Sequence, residues 1–176
     1  MTNTNKVISD WFYQYSNDVY NFLVYYTGST DVEDLVQDVF IKAGKGLKSY
    51  KKQSSPKTWI LSIARNVAID EARKKENKVS KNKKEFDEQF WIDNKQYTSP
   101  EKIILQNERH QELYKAIQQL KTNYRDVVIL RGIKELSVKE TAEILNWKAA
   151  KVRTNYHRAL KRLGQMQGGG IFNEDQ

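Results

Sequence analysis

Apolar residues recur along most of this chain at three- and four-residue intervals, the period of a helix face, and strand-like alternation is absent. Ile8, Trp11, Phe12, Tyr15, Val19, Phe22, Leu23 and Tyr26 form the first stripe, which predicts a helix stopped by Gly28. A second stripe, Val32, Leu35, Val36, Val39 and Phe40, follows Thr30-x-x-Glu33, the spacing of a capping box. Asp31, Asp34, Gln37 and Asp38 lie on another side of that helix, which is expected to end near Gly44 and Gly46. Ser55-Pro56 has the form of an N-cap and first helical residue. Behind it Trp59, Ile60, Ile63, Ala64, Val67 and Ala72 make a third stripe, with Arg65, Asn66, Asp70 and Arg73 outside it.

From Glu76 the period is lost until Ser99-Pro100-Glu101, where a second set of helices is expected. Its first member runs to about Leu120 on Ile103, Ile104, Leu113, Tyr114 and Ile117. Next come Val127, Val128, Leu130 and Ile133, then a short helix opened by the capping box Ser137-x-x-Glu140 and carrying Ala142, Ile144 and Leu145. A tight turn at Asn146-Trp147-Lys148 precedes the last stripe: Val152, Tyr156, Ala159, Leu160 and Leu163. The chain is therefore expected to be all-α, with two small helical domains, 1–75 and 101–164, joined by a flexible linker, 76–100, and followed by a disordered tail, 165–176. Phe86, Phe90 and Trp91 stand isolated in the linker and fit either a partner contact or loose packing.

Charge divides along the same lines. The formal net charge is +8, but residues 48–84 alone carry +9 and residues 148–163 carry +6 with no acid, while 85–113 between them is acidic. Two basic blocks predict two polyanion contacts, because a partner responds to local potential rather than to the total. The absence of cysteine excludes disulfides, thiolate metal sites and cysteine nucleophiles. Only His110 and His157 are present, without clustered carboxylates, so no metal or other cofactor is expected. There is no signal-peptide pattern and no long apolar window, which predicts a cytoplasmic protein.

A short capped helix, a tight turn and a helix with a narrow apolar stripe have the form of a helix-turn-helix. Lys148, Lys151, Arg153, Thr154, Asn155, His157, Arg158, Lys161 and Arg162 are left for the outer face. Arginine suits guanine, asparagine suits adenine and lysine suits phosphate. In the other block, Tyr50, Lys51, Lys52, Ser54, Lys57 and Trp59 set cations beside planar rings, a texture suited to unstacked single-stranded bases. Trp59 also lies on an apolar stripe, so core packing is open to it as well.

Three segments, DLVQDVFIK (34–42), TWILSIARNVAID (58–70) and YRDVVILRGIKELSVKETAEILNWKAAKVRTNYHRALKRL (124–163), resemble in order the signature segments of the extracytoplasmic-function (ECF) sigma factors of bacterial RNA polymerase. The resemblance implies a sigma-2 and a sigma-4 module and no catalytic residue, the polymerase performing the chemistry. It implies that Asp34, Leu35, Gln37 and Asp38 meet the clamp helices of the polymerase β′ subunit, and that the 101–120 helix helps sigma-4 meet the β flap. Tyr50, Lys51, Lys52, Ser54, Lys57, Trp59, Arg65, Asn66 and Arg73 would open and read the −10 element. Lys148, Lys151, Arg153, Thr154, Asn155, His157, Arg158 and Arg162 would read the −35 element. Promoter DNA, core polymerase and an anti-sigma factor, often membrane-anchored, are the partners implied, in a stress or envelope response. The family often places proline, or serine and glycine, where this chain has Trp147-Lys148-Ala149-Ala150. The competing readings are a stand-alone helix-turn-helix regulator, which leaves the N-terminal half unexplained, and a nucleic-acid-processing enzyme. Against the latter, Asp31, Glu33, Asp34 and Asp38 have no second acidic segment to complete a two-metal site.

Overall fold

The computed structural model describes residues 3–79 and 108–166, and every regular element among them is helical. The first set comprises α1 (Asn3–Thr27), α2 (Glu33–Gly46), a single 3-10 turn (Leu47–Ser49) and α3 (Pro56–Val79). The second comprises α4 (Glu108–Gln119), α5 (Thr122–Val127), which continues into a π-helical turn (Val128–Ile133), α6 (Val138–Leu145) and α7 (Ala149–Met166). Two boundaries move outward from the sequence expectation. The third helix continues past Glu76 to Val79, and the last runs through Gln165 and Met166. The linker aromatics Phe86, Phe90 and Trp91, the start expected at Ser99-Pro100-Glu101 with Ile103 and Ile104, and the tail from residue 167 lie outside the described residues.

Local signals explain most helix starts. The Ser55 hydroxyl accepts from the Thr58 backbone N–H at 3.1 Å, and Pro56 is the first residue of α3. The Ser137/Glu140 capping box is complete, with both reciprocal bonds at 3.0 Å. The box expected at Thr30 is not formed. Thr30 is buried two residues before the helix-capping position at Val32, and its hydroxyl has no partner. The turn is held instead by the Thr27 and Ser29 hydroxyls, which accept from the Ser29 and Asp31 N–H groups.

The three N-terminal helices pack against one another around Val36, Val39, Phe40, Ile60, Leu61, Ala64 and Val67. Ala72, assigned to this stripe, is exposed, and Phe12 is 41% exposed. In the second set α7 packs on α5 and α6 through Val152, Ala159 and Leu163. The two sets also pack on each other. α4 and the π turn contact α1, and α6 contacts α3. That explains why all eight residues from Val19 to Tyr26 are buried rather than one stripe of them: the C-terminal half of α1 is covered by both sets. The two small helical domains expected from the sequence are both present, and they pack on each other.

Gly28 ends α1 with φ +77°, a conformation that a side chain opposes. A Cβ there would lie 3.0 Å from the Gln118 side chain, so the missing side chain also permits α4 to approach. Among the described residues no helix is long and apolar enough to cross a membrane.

Candidate nucleic-acid interface

The helix-turn-helix is built as its residues predict. Asn146 takes the left-handed conformation (φ 55°, ψ 45°) that ends α6, and the Trp147 N–H returns to the Ala142 carbonyl at 3.0 Å. α7 then begins at Ala149 without proline or glycine. Lys151 lies over the Trp147 ring at 4.4 Å, so the unusual tryptophan holds a cation against the start of the helix. Lys148, Lys151, Arg153, Thr154, His157, Arg158, Lys161 and Arg162 are exposed together on the outer side. Asn155 departs from the expectation. It is half-buried, and its amide donates to the Lys151 carbonyl at 2.9 Å, back into its own helix. Behind this face Tyr156 receives Arg131 at 5.3 Å and abuts Gly132, which anchors α7 on the π turn.

The second candidate surface is less continuous. Tyr50 and Trp59 are not splayed for bases but pack at 4.8 Å and 30°, with Trp11 of α1 edge-on to both at 5.7 and 6.0 Å. The Tyr50 hydroxyl donates to the Ser54 carbonyl and closes the 50–54 loop, in which Lys52 sits at φ 58°. Lys51 and Lys52 are exposed on this loop, and Ser54, Lys57 and Trp59 are half-buried beside it. Asn66 and Arg73 are exposed further along α3, but Arg73 stands about 24 Å along the axis from Lys57 at 1.5 Å per residue. It lines a different hollow, of about 240 Å³, with Leu35, Asp38 and Lys42. Arg65 is engaged by the C-terminal set: its guanidinium donates to Asp126 at 3.1 Å, where Asp126 is 1% exposed.

Asp34, Gln37 and Asp38 are exposed on α2 and Leu35 is half-buried beside them. Gln37 also borders an open apolar groove of about 660 Å³ between α1 and α2, lined by Ile8, Phe12, Phe40 and Ile41.

Four residues that the sequence assigned to neither surface take part. Asp18 bridges Lys57 at 3.8 Å and Lys134 at 3.2 Å. Glu140 caps α6 with one oxygen and accepts from the Thr58 hydroxyl with the other at 3.1 Å. The Ser137 backbone N–H chiefly holds its carboxyl below the usual range, with help from the Ser137 and Thr58 hydroxyls and Lys57. Burial pushes the Asp126 carboxyl up, and Arg65 only partly opposes it. Trp11 completes the aromatic cluster. Only the run Val19–Tyr26, apolar on every side but for Asn21, signals any of this in the sequence, because an element apolar nearly all round needs cover all round. Among the described residues no group of three metal-ligating side chains comes together.

Comparison with known proteins sets this geometry in a family. Residues 11–78 match sigma-70 region 2 and residues 110–163 match sigma-70 region 4. The ECF RNA polymerase sigma factor SigX of Bacillus subtilis is 37% identical over 164 residues, 93% of this chain and 83% of that protein. SigM of the same organism is 32% identical over 173 residues, 95% of this chain and 99% of that one. Among solved structures, the sigma factor RpoE in complex with the anti-sigma factor NepR from Bartonella quintana superposes with a TM-score of 0.73 at 26% identity, covering 93% of this chain and 98% of RpoE.

Proposed function

This chain belongs to the ECF sigma factors of bacterial RNA polymerase, and on that premise we propose how its residues divide the work of starting transcription. The observation that carries the reading is the acid-free outer face of α7 and the turn before it, eight exposed polar and basic side chains from Lys148 to Arg162 presented by a capped helix-turn-helix. Lys148, Lys151, Arg153, Thr154, His157, Arg158 and Arg162 enter the major groove at the −35 element, the arginines nearest the helix start reading base edges and the lysines and Arg162 binding phosphate. Asn155 contributes after releasing its bond to the Lys151 carbonyl.

The 50–54 loop, with Lys51 and Lys52, and the outer side of α3, with Lys57, Arg65, Asn66 and Arg73, hold the opened −10 strand. Extracting a base from the stack costs a few kcal/mol, which backbone cations and a shaped loop offset. Tyr50 and Ser54 shape the loop, and Trp59 backs it. Asp34, Leu35, Gln37 and Asp38 dock on the β′ clamp helices, and α4 supports the contact with the β flap. Phosphodiester synthesis stays with the polymerase. The similarity to RpoE, crystallised with its anti-sigma factor, supports control of this chain by an anti-sigma factor as well, in a stress or envelope response in the cytoplasm.

Run-off transcription with core polymerase tests the reading. A promoter-dependent transcript is the expected result; no transcript from any stress-type promoter, combined with tight binding of the free chain to a palindrome, is the result that overturns it. Arg153→Ala is expected to relax preference at one −35 base by about 1–3 kcal/mol. An equal loss on every sequence would reassign Arg153 to the phosphates. Changing Asp34 and Gln37 together to alanine is expected to weaken capture of core polymerase while leaving the unfolding midpoint unchanged, since both side chains are exposed. Undiminished capture would remove α2 from the polymerase interface.

A further inference from the structure

We propose that Trp147 is a positioning residue for promoter recognition: its ring holds the Lys151 ammonium ready for one DNA phosphate and so fixes the register of α7 in the groove. The proposal rests on the reading of α7 as the −35 helix and concerns how its first turn is set on the backbone of the duplex.

Electrostatics disfavours the place that Lys151 occupies. The Val152 N–H closes the first bond of α7 on the Lys148 carbonyl at 3.2 Å, so Lys148 stands at the helix cap and Lys151 in the first turn. A helix presents partial positive charge there, which attracts acids and repels cations. The first turn of α7 contains no acid, whereas that of α6 has Glu140 and that of α2 has Glu33 and Asp34. A lysine also brings no acceptor for the open backbone N–H groups, the part that Ser137 and Ser55 play at the starts of α6 and α3. Left to itself, the Lys151 side chain would swing out into water, away from Lys148 and the helix end.

The ring opposes that. Trp147 is itself fixed: its N–H bond to the Ala142 carbonyl follows the left-handed Asn146, and its half-buried side chain packs against the core. Lys151, four residues on, lies on the same side with Nζ 4.4 Å from the ring centroid. Four residues further, the Asn155 amide donates to the Lys151 carbonyl and ties the next turn to the same residue. The ring face attracts the ammonium without engaging all three of its N–H groups, so the outer ones stay open to a phosphate oxygen. An ammonium already ordered on a ring gives up less rotamer freedom on binding than a free lysine does. Among the described residues no other cation of α7 lies over a ring, so Lys151 is the one whose place is set before DNA arrives.

The test uses holoenzyme assembled from the full chain and core polymerase, with promoter duplexes in which single phosphates flanking the −35 element are replaced, one at a time, by neutral methylphosphonate. For the wild type, neutralising one phosphate beside the start of α7 is expected to weaken binding more than neutralising its neighbours. Lys151→Ala, at an exposed position, should erase that phosphate's effect and lower the slope of log affinity against log salt by about one. Trp147→Leu keeps an apolar side chain for the core and removes the ring; it is expected to weaken promoter binding about two- to fivefold, the scale of an exposed cation–ring contact, and to level the phosphate profile. Trp147→Phe returns a ring and should restore both. Added to Lys151→Ala, Trp147→Leu should cause no further loss. Circular dichroism and the unfolding midpoint are recorded for every variant. A wild-type profile with no distinguished phosphate, or one that Lys151→Ala leaves unchanged, would overturn the proposal without any change to Trp147. So would a folded Trp147→Leu protein that binds as the wild type does, losses that multiply in the double variant, or a Trp147→Phe protein no better than the leucine one. Run-off transcription by the wild-type holoenzyme is scored in parallel: a promoter-dependent transcript with a level phosphate profile sinks the positioning role alone, and no transcript sinks the sigma-factor reading beneath it.

Discussion

Replacing Phe22 with alanine is expected to destabilise the protein by about 3–5 kcal/mol in urea unfolding, the usual range for a large aromatic removed from a packed interior. Phe22 is fully buried and stacks on Tyr26 at 5.5 Å. Tyr26 in turn carries Arg125 from the second helical set, and burial, with Asp126 beside it, pushes its hydroxyl up to about 12. The cavity therefore opens under the seam between the sets, and both should lose stability in one transition. Tyr13→Ala on the same helix is the comparison: with Tyr13 85% exposed, its effect should stay within about 0.5 kcal/mol. A Phe22 loss below about 1 kcal/mol would mean that the seam relaxes around the missing ring.

Replacing Arg65 with alanine should cost the packing of the two sets about 3–5 kcal/mol near neutral pH, because it strands a buried carboxylate rather than removing a balanced pair. Asp126 is 1% exposed and the Arg65 side chain 21%, so solvent screens the pair little. Burial already raises the Asp126 pKa above its ordinary 3.8 against the opposing influence of Arg65, the Tyr26 hydroxyl and Arg125. Without Arg65 it rises further. A raised carboxyl favours the protonated folded form, so the variant's deficit should be small in acid and grow as pH rises through the raised value. Unfolding followed from acid to neutral pH tests this, with Asp126→Asn added to Arg65→Ala as the control that abolishes the slope. A pH-independent deficit would show that Asp126 is not the stranded charge.

What the sequence made legible was local. The α7 stripe, the Ser137/Glu140 box, the Ser55-Pro56 start and the turn at Asn146 are each written in a handful of adjacent residues, and each forms. Thr30 failed for an equally local reason, since the Thr27 and Ser29 hydroxyls hold the turn first. The packing of the two sets was not legible, because its residues look ordinary where they stand. Asp126 reads as a surface acid until Arg65, 61 positions away, is placed beside it. The exposed α7 cations could be chosen from the stripe alone; Arg65, Lys57 and Trp59 could not be apportioned between core, strand and neighbouring helices without tertiary contacts.

The π turn at Val128–Ile133 has a consequence of phase. Its Lys134 N–H returns to the Ile129 carbonyl, five residues back, so this helix holds one residue more than an ordinary turn accommodates. Each residue of an α-helix turns the chain by about 100°, and everything beyond that point inherits the offset: the direction in which the chain leaves, the placement of Ser137, and the axis of α7. One surplus residue, absorbed upstream of the DNA-reading helix, thus sets the compass bearing of a surface that begins fifteen positions after it.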